Sequence, residues 1–262
     1  MKTKFLHIAT ALLFAGFTSS CSDFLDRYPL DELSDSSFWK TENDAMMAVT
    51  DIYGCLPTWD QDEDINSDNA VHGIKWAAGN ISKGIYDPMD QSWAGSYTPI
   101  RQCNLVLEKV KDIEMSDESR KKIEGQAYFF RAFVYFNLIR SFGDVPYIDK
   151  PLNLTDVEDI TRTPREEVYA MVMADYDKAI EYLPEEWDAA NTPRVTKGAA
   201  LAMKARAALY YSNWQVAADA SKAVIDLGKY ELYDAGNTGK YQELFWEKSD
   251  GCDENIFYVQ FN

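Results

Sequence analysis

Apolar residues along this chain recur at the three- and four-residue spacing of a helix face, segment after segment, while the two-residue alternation of a half-buried strand is scarce. That pattern confines the chain to an all-α fold, mostly helical, with long irregular loops and little β. Trp93, Tyr97, Ile100, Asn104 and Leu107 fall at intervals of four, three, four and three, which predicts a helix over roughly Trp93 to Val110. A longer helix is predicted from Asp117 to Phe142, closed by Gly143 with Pro146 just beyond. Glycine accepts left-handed backbone and proline lacks the N–H needed to continue, so both end helices. Thr41-x-x-Asp44 has the spacing of a capping box and opens a helix to Tyr53, with Ala45, Val49, Ile52 and Tyr53 on one face. A fourth helix is predicted over Arg165 to Leu183, with Pro164 in its first turn and Pro184 ending it. Two more are predicted near Thr196 to Tyr211 and Trp214 to Leu227, the latter stopped by Gly228.

The later helices echo one another. Lys178-Ala179-Ile180-Glu181-Tyr182-Leu183-Pro184 resembles Lys222-Ala223-Val224-Ile225-Asp226-Leu227-Gly228, offset by 44 residues, and both stretches are helix ends followed by a breaker. Ala205, Ala208, Ala217 and Ala220 are small enough to let the last two helices approach closely, with Tyr210, Tyr211 and Trp214 filling the turn between them. These are the marks of tetratricopeptide-like helical repeats. Trp39, Trp93, Trp187, Trp214 and Trp246 are assigned to packing. The run Ile256 to Phe261 reads as an apolar strand.

Met1-Lys2-Thr3-Lys4, a mostly apolar stretch from Phe5 to Phe17, and Thr18-Ser19-Ser20-Cys21 have the charged, apolar and small-residue regions of a secretory signal over residues 1–20. The stretch is short of the roughly 20 apolar residues that cross a bilayer. A cysteine directly after small residues is what a lipoprotein signal peptidase acts on, so Cys21 is the candidate lipid anchor and residues 21–40 an extended tether. Thr18 departs from the usual aliphatic residue there. Ordinary secretion with Cys21 as a free thiol is the alternative. Loss of Lys2 and Lys4 with the signal takes the formal charge from −17 to −19. Such a surface repels nucleic acid and anionic lipid and leaves neutral ligands such as sugars open. With 46% hydrophobic and 14% aromatic residues, a chain of 262 has ample material for a core. Cys55, Cys103 and Cys252 are odd in number and widely spaced, which predicts buried free thiols rather than a disulfide framework, with one bridge left open.

Several stretches, in order, carry a resemblance. They are Cys21-Ser22-Asp23-Phe24-Leu25-Asp26-Arg27-Tyr28-Pro29-Leu30; Phe38-Trp39-Lys40-Thr41-Glu42-Asn43-Asp44-Ala45; and Trp93-x-x-x-Tyr97-x-x-Ile100-Arg101-x-Cys103-Asn104. Most specific is Gly125-Gln126-Ala127-Tyr128-Phe129-Phe130-Arg131-Ala132, continuing through Tyr135-Phe136-Asn137-Leu138 to Phe142-Gly143-Asp144-Val145-Pro146. Arg194-Val195-Thr196-Lys197-Gly198-Ala199-Ala200 and Tyr230-Glu231-Leu232 complete the set. Together they resemble the SusD/RagB family of surface nutrient-binding lipoproteins. Gln126 stands where the family usually has Glu, which weakens a charge partner for Arg131. Because family members are about twice as long, the resemblance implies that residues 41–262 are the N-terminal half of the family fold, with the C-terminal half absent.

The resemblance implies a lipid-anchored outer-membrane protein, exposed on the cell surface, that captures oligosaccharide or another nutrient and passes it to a TonB-dependent, SusC-like transporter. No cofactor is implied. Sugar binding needs aromatic faces for the C–H side of the ring and amide or charged groups for its hydroxyls. The irregular stretch from Leu56 to Gln91 supplies both: Trp59, Trp76 and Tyr86 as platforms, Asn80 and Lys83 as hydroxyl partners. The competing reading has Trp59 and Trp76 plugging the loop onto the helices. Asp60-x-Asp62-x-Asp64-x-Asn66-x-Asp68 has calcium-loop spacing, yet Ile65 replaces the turn glycine and Val71 the bidentate glutamate. A solvated acidic loop is expected there, with no metal. An enzyme is not expected either: with His7 lost in the signal, His72 is the one remaining histidine, and no zinc pair, nucleophile elbow or phosphate loop is present. A glycosidase carboxylate pair would show only in its spatial separation. Glu181, Glu185 and Glu186 are read as solvated helix faces. A protein-interaction scaffold that holds no small ligand is the alternative function.

Overall fold

The long run predicted from Asp117 forms a 26-residue helix, α3 (Asp117–Phe142), about 39 Å at the rise of an α-helix. Its second half buries Phe129, Phe130, Tyr135, Phe136, Leu138 and Ile139, residues that lie all around the helix and not on one stripe. A helix apolar all round has to be surrounded. The computed structural model describes residues 38–56, 93–157, 159–233, 241–246 and 251–259. The chain divides into two units, Met1–Trp39 and Lys40–Asn262, and the second holds six described α-helices: α1 (Glu42–Ile52), α2 (Trp93–Lys109), α3, α4 (Arg165–Tyr182), α5 (Lys197–Tyr210) and α6 (Trp214–Asp226). Neighbours α1, α2 and α4 pack on α3, after which α5 packs on α4 and α6 on α5. From α2 to α5, successive helices run in opposite directions. Trp93 at the start of α2 meets Phe142 at the end of α3, Gly125 near the start of α3 faces Tyr182 and Leu183, and Tyr169 early in α4 stacks on Tyr211 just past α5. This is the tetratricopeptide-like arrangement that the sequence echo anticipates.

The helix ends follow their local chemistry. The Thr41 hydroxyl accepts from the Asp44 N–H at 3.2 Å while the Asp44 carboxylate accepts from the Thr41 N–H at 2.7 Å, a reciprocal capping box. Hydrogen bonding from Thr41 holds the Asp44 carboxyl below its usual pKa. The Ser116 and Thr196 hydroxyls cap α3 and α5 by accepting from the N–H of Ser119 and of Ala199. Pro164 sits at the N-cap of α4, one position before the first turn. Gly143 and Gly228 take positive φ, 71° and 61°, just past the ends of α3 and α6.

Four expectations are corrected. Trp214 is 64% exposed and Trp246 47% exposed. Of α6, only Ala217 and Ala220 are buried, so the Trp214 ring at its first position lies outside the helix pair. Tyr210, 57% exposed, likewise sits outside the turn, its ring edge on Phe136. Glu185 and Glu186 are in the loop after α4, not on a helix face, and pair with Lys197 and Lys229. Residues 256–259 form no strand, and Phe257 instead packs edge-on against Phe129 of α3. Within the described residues β structure is limited to one antiparallel bridge, Val145 with Thr163. Cys55, Cys103 and Cys252 are free thiols; only Cys103 is fully buried, and burial pushes the Cys55 thiol up to about 11. Among the described residues no helix is long and apolar enough to cross a membrane.

A buried polar knot ties α2, α3 and α4 together. Arg131 donates from Nε and Nη2 to the two carboxylate oxygens of Asp175, each at 2.7 Å, and from Nη1 to Asn104 Oδ1 at 2.8 Å. Asn104 donates in turn to the Ile148 carbonyl at 2.9 Å. The Tyr135 hydroxyl bonds both the N–H and the carbonyl of Ile148, and the Tyr97 hydroxyl donates to the Pro146 carbonyl. Residues 146–149 are thereby strapped across the helices. Burial disfavours the charge on Arg131, but the hydrogen bonds and charge of Asp175 outweigh it, so its pKa rises. Gln126 is not in this knot. The charge partner of Arg131 is Asp175, from a helix that periodicity alone does not pair with it. Removing one partner of a buried pair costs about 3–5 kcal/mol, whereas replacing both with apolar residues is close to neutral. Asp175→Ala is therefore expected to lower the urea midpoint sharply, and Arg131→Met with Asp175→Leu to recover most of the loss. A single change costing under about 1 kcal/mol would show that the pair carries no such strain.

Candidate functional site

The residues nominated from sequence, Trp59, Trp76, Asn80, Lys83 and Tyr86, lie outside the described residues, as do the anchor Cys21 and the acidic series 60–68. What is described is the frame on which the 57–92 segment hangs. It departs from the end of α1, where the Tyr53 ring packs edge-on against Phe130 at 4.5 Å. The Tyr53 hydroxyl donates to Gln126 Oε1 at 2.8 Å and accepts from the Val195 N–H at 3.0 Å. Burial pushes this hydroxyl up to about 12. Arg194 closes the corner, donating to Gln126 Oε1 and to the Thr50 hydroxyl, with its guanidinium 5.8 Å from the Tyr53 ring centre. At the other end Trp93 is half-buried, edge-on to Phe142 at 4.9 Å and under the Arg162 guanidinium at 5.0 Å. Phe130 and Phe142 are about 18 Å apart along α3. The segment's two roots are thus held at a fixed spacing by one rigid helix.

A second feature is a cavity of ≈ 320 Å³ between the loop after α4 and the chain's last described stretch, lined by Glu185, Glu186, Trp187, Arg194, Tyr230 and Tyr258 among others. Trp187 is buried and its indole N–H donates to the Val195 carbonyl at 2.8 Å, which fixes the ring. Tyr230 lies 3.2 Å, oxygen to oxygen, from the Thr196 hydroxyl. Its ring occupies the space that a Cβ on residue 198 would need, so Gly198 is required for the approach. Arg194-Val195-Thr196-Lys197-Gly198 and Tyr230-Glu231-Leu232 were legible only as pieces of a family pattern. The structure brings the two together at this cavity, a meeting for which single-sequence spacing holds no signal. Two carboxylates, the Lys229 ammonium, the Arg194 guanidinium and aromatic rings line it, a mixture suited to holding a polar, uncharged ligand. Among the described residues no group of three His, Cys, Asp or Glu is placed to hold a metal ion.

Residues 24–209 match a SusD-like family described as "Starch-binding associating with outer membrane". A SusD-like protein of Formosa agariphila is 28% identical over 276 residues, taking in 99% of this chain and 53% of its own length. A SusD-like protein of Bacteroides ovatus is 25% identical over 280 residues, covering 100% of this chain and 50% of the relative. The chain therefore spans about half the length of the curated relatives it matches. Among solved structures, a SusD-like protein from Bacteroides fragilis superposes with a TM-score of 0.78 at 29% identity, over 90% of this chain and 47% of that one. A laminarin-binding SusD-like protein shares the fold, with a TM-score of 0.70 at 22% identity over 83% of this chain and 51% of its own. The order of motifs from Trp93 to Tyr230, the helical repeats and the match over residues 24–209 agree: the chain belongs to the SusD-like family of carbohydrate-binding, outer-membrane-associated proteins.

Proposed function

We propose that this protein captures oligosaccharide at the cell surface, tethered to the outer membrane through a lipid on Cys21, and delivers it to a TonB-dependent, SusC-like transporter. The observation that carries the reading is the family match over residues 24–209, whose description joins starch binding to the outer membrane. Trp59, Trp76 and Tyr86 stack on sugar faces in this account, and Asn80 and Lys83 bond hydroxyls, on a segment whose roots are pinned to α3. Binding without catalysis suits such a site. Starch and laminarin are the glycans to try first, the former from the family's description and the latter from a structural neighbour.

A second reading is a helical scaffold that docks a partner protein and holds no sugar. Leu209, Tyr210 and Trp214 favour it, since all three are more than half exposed where α5 turns into α6. Electrophoresis through gels containing starch or laminarin separates the two. Retardation that disappears with Trp59→Ala and Trp76→Ala together is the expected result, because stacked aromatics carry about 1 kcal/mol or more each. Unretarded migration in every polysaccharide, with a transporter still recovered in pull-downs, supports the scaffold instead. For the anchor, Cys21→Ser is expected to move the protein from the membrane fraction to the soluble fraction of cells. Unchanged membrane association would overturn the lipid tether.

A further inference from the structure

We infer that the cavity formed by Glu185, Glu186, Trp187, Lys229, Tyr230 and Tyr258 is a saccharide site additional to the one proposed on residues 57–92, and that it holds one or two neutral sugar rings. The inference rests on the reading that this protein captures glycan. A volume of ≈ 320 Å³ lies at the lower end of ligand pockets, which run from about 300 to 1,000 Å³, and so fits a short saccharide end and not a folded chain. The wall is built before any ligand arrives. Trp187 is fixed by its bond to Val195, and Tyr230 is set over Gly198. Tyr258 is seated against Gly251, where φ is +71° and an added Cβ would come 2.9 Å from the Tyr258 hydroxyl. Two glycines thus make room for the two tyrosines, the residue type whose flat face and hydroxyl both suit a sugar.

The charges choose the ligand class. Lys229 pairs with Glu186 at 3.1 Å and Lys197 with Glu185 at 4.0 Å, all four side chains being partly exposed. Each carboxylate keeps lone pairs, and each ammonium keeps N–H groups, that one ion pair does not use. An anion would meet Glu185 and Glu186 and the formal −17 of the chain, and a cation would meet Lys229 and Arg194. An apolar molecule would strip water from the ion pairs without replacing its hydrogen bonds. A polyol donates to the carboxylates, accepts from the Lys229 ammonium and lays its C–H face on the tyrosines.

Isothermal titration of the whole chain with maltotriose and with laminaritriose tests this in six forms: wild type, Trp59→Ala/Trp76→Ala, Tyr258→Ala, Glu186→Gln as a conservative change that leaves the wall intact, and the two that add Tyr258→Ala or Glu186→Gln to Trp59→Ala/Trp76→Ala. The expected result is residual binding in the Trp59/Trp76 variant, and about tenfold weakening of that residual site when Tyr258→Ala or Glu186→Gln is added. Binding abolished by Trp59→Ala/Trp76→Ala and untouched by Tyr258→Ala and Glu186→Gln overturns the cavity site alone. Binding untouched by the Trp59/Trp76 changes and lost with the cavity changes upholds the cavity and overturns the segment. No binding of any saccharide by the wild type overturns both.

Discussion

Arg131 sets the register of the three helices around it. A guanidinium taken out of water is tolerated only when its donors are met, and here they are met from α2 by Asn104, from α4 by Asp175 and from the strap by the Asp149 carbonyl. Sliding α4 by one turn would carry Asp175 away and leave a charge unpaired in the core. Apolar contacts such as Phe129 with Tyr176 tolerate small slips, but a bidentate pair does not. The knot therefore adds specificity to a core whose stability comes from the aromatic residues of α3.

From that fixed core the surface features inherit their geometry. The strap at 146–149 shares Asn104 with the knot, which bonds both Arg131 and the Ile148 carbonyl, and it continues to Val145 and Thr163, which pair just before α4. Tyr53 and Arg194 join α1 to α3 and to the loop before α5. One consequence is that the root of the 57–92 segment and the wall of the cavity share residues: Arg194 contacts Gln126 and Thr50 on one side and lines the cavity on the other. Glycan capture, on this account, is performed by side chains on loops, positioned by a helical frame that does not itself need to move.

Helices were the most legible feature of the sequence, because apolar spacing and end chemistry act locally. Asp117 to Phe142 needed no knowledge of the fold, and Thr41 with Asp44 formed the box their spacing announces. Partnerships across helices were hidden. Asp175 lies among ordinary helix residues, and nothing near it in sequence marks it as the partner of Arg131. Tryptophan was misread where its helix had nothing to pack it against: Trp214 opens α6, whose buried face is made of alanines. Of the strand expected at 256–261, the described residues 256–259 form none, because a strand needs a neighbour with free backbone groups and Phe257 packs on Phe129 instead. Of the site, the sugar-binding chemistry of Trp59, Trp76, Asn80, Lys83 and Tyr86 is a reading of composition and resemblance, whereas the cavity came only from the folded chain.

A saccharide held by residues 57–92 would leave the helical frame as it is. Hydrogen–deuterium exchange of the protein with and without maltohexaose or laminarihexaose reads this directly. Slower exchange is expected in peptides from 57–92, with unchanged exchange in α3 and α4. Protection confined to the exposed end of α5 and α6, or no change in 57–92 with a glycan that the protein demonstrably retains, would contradict it.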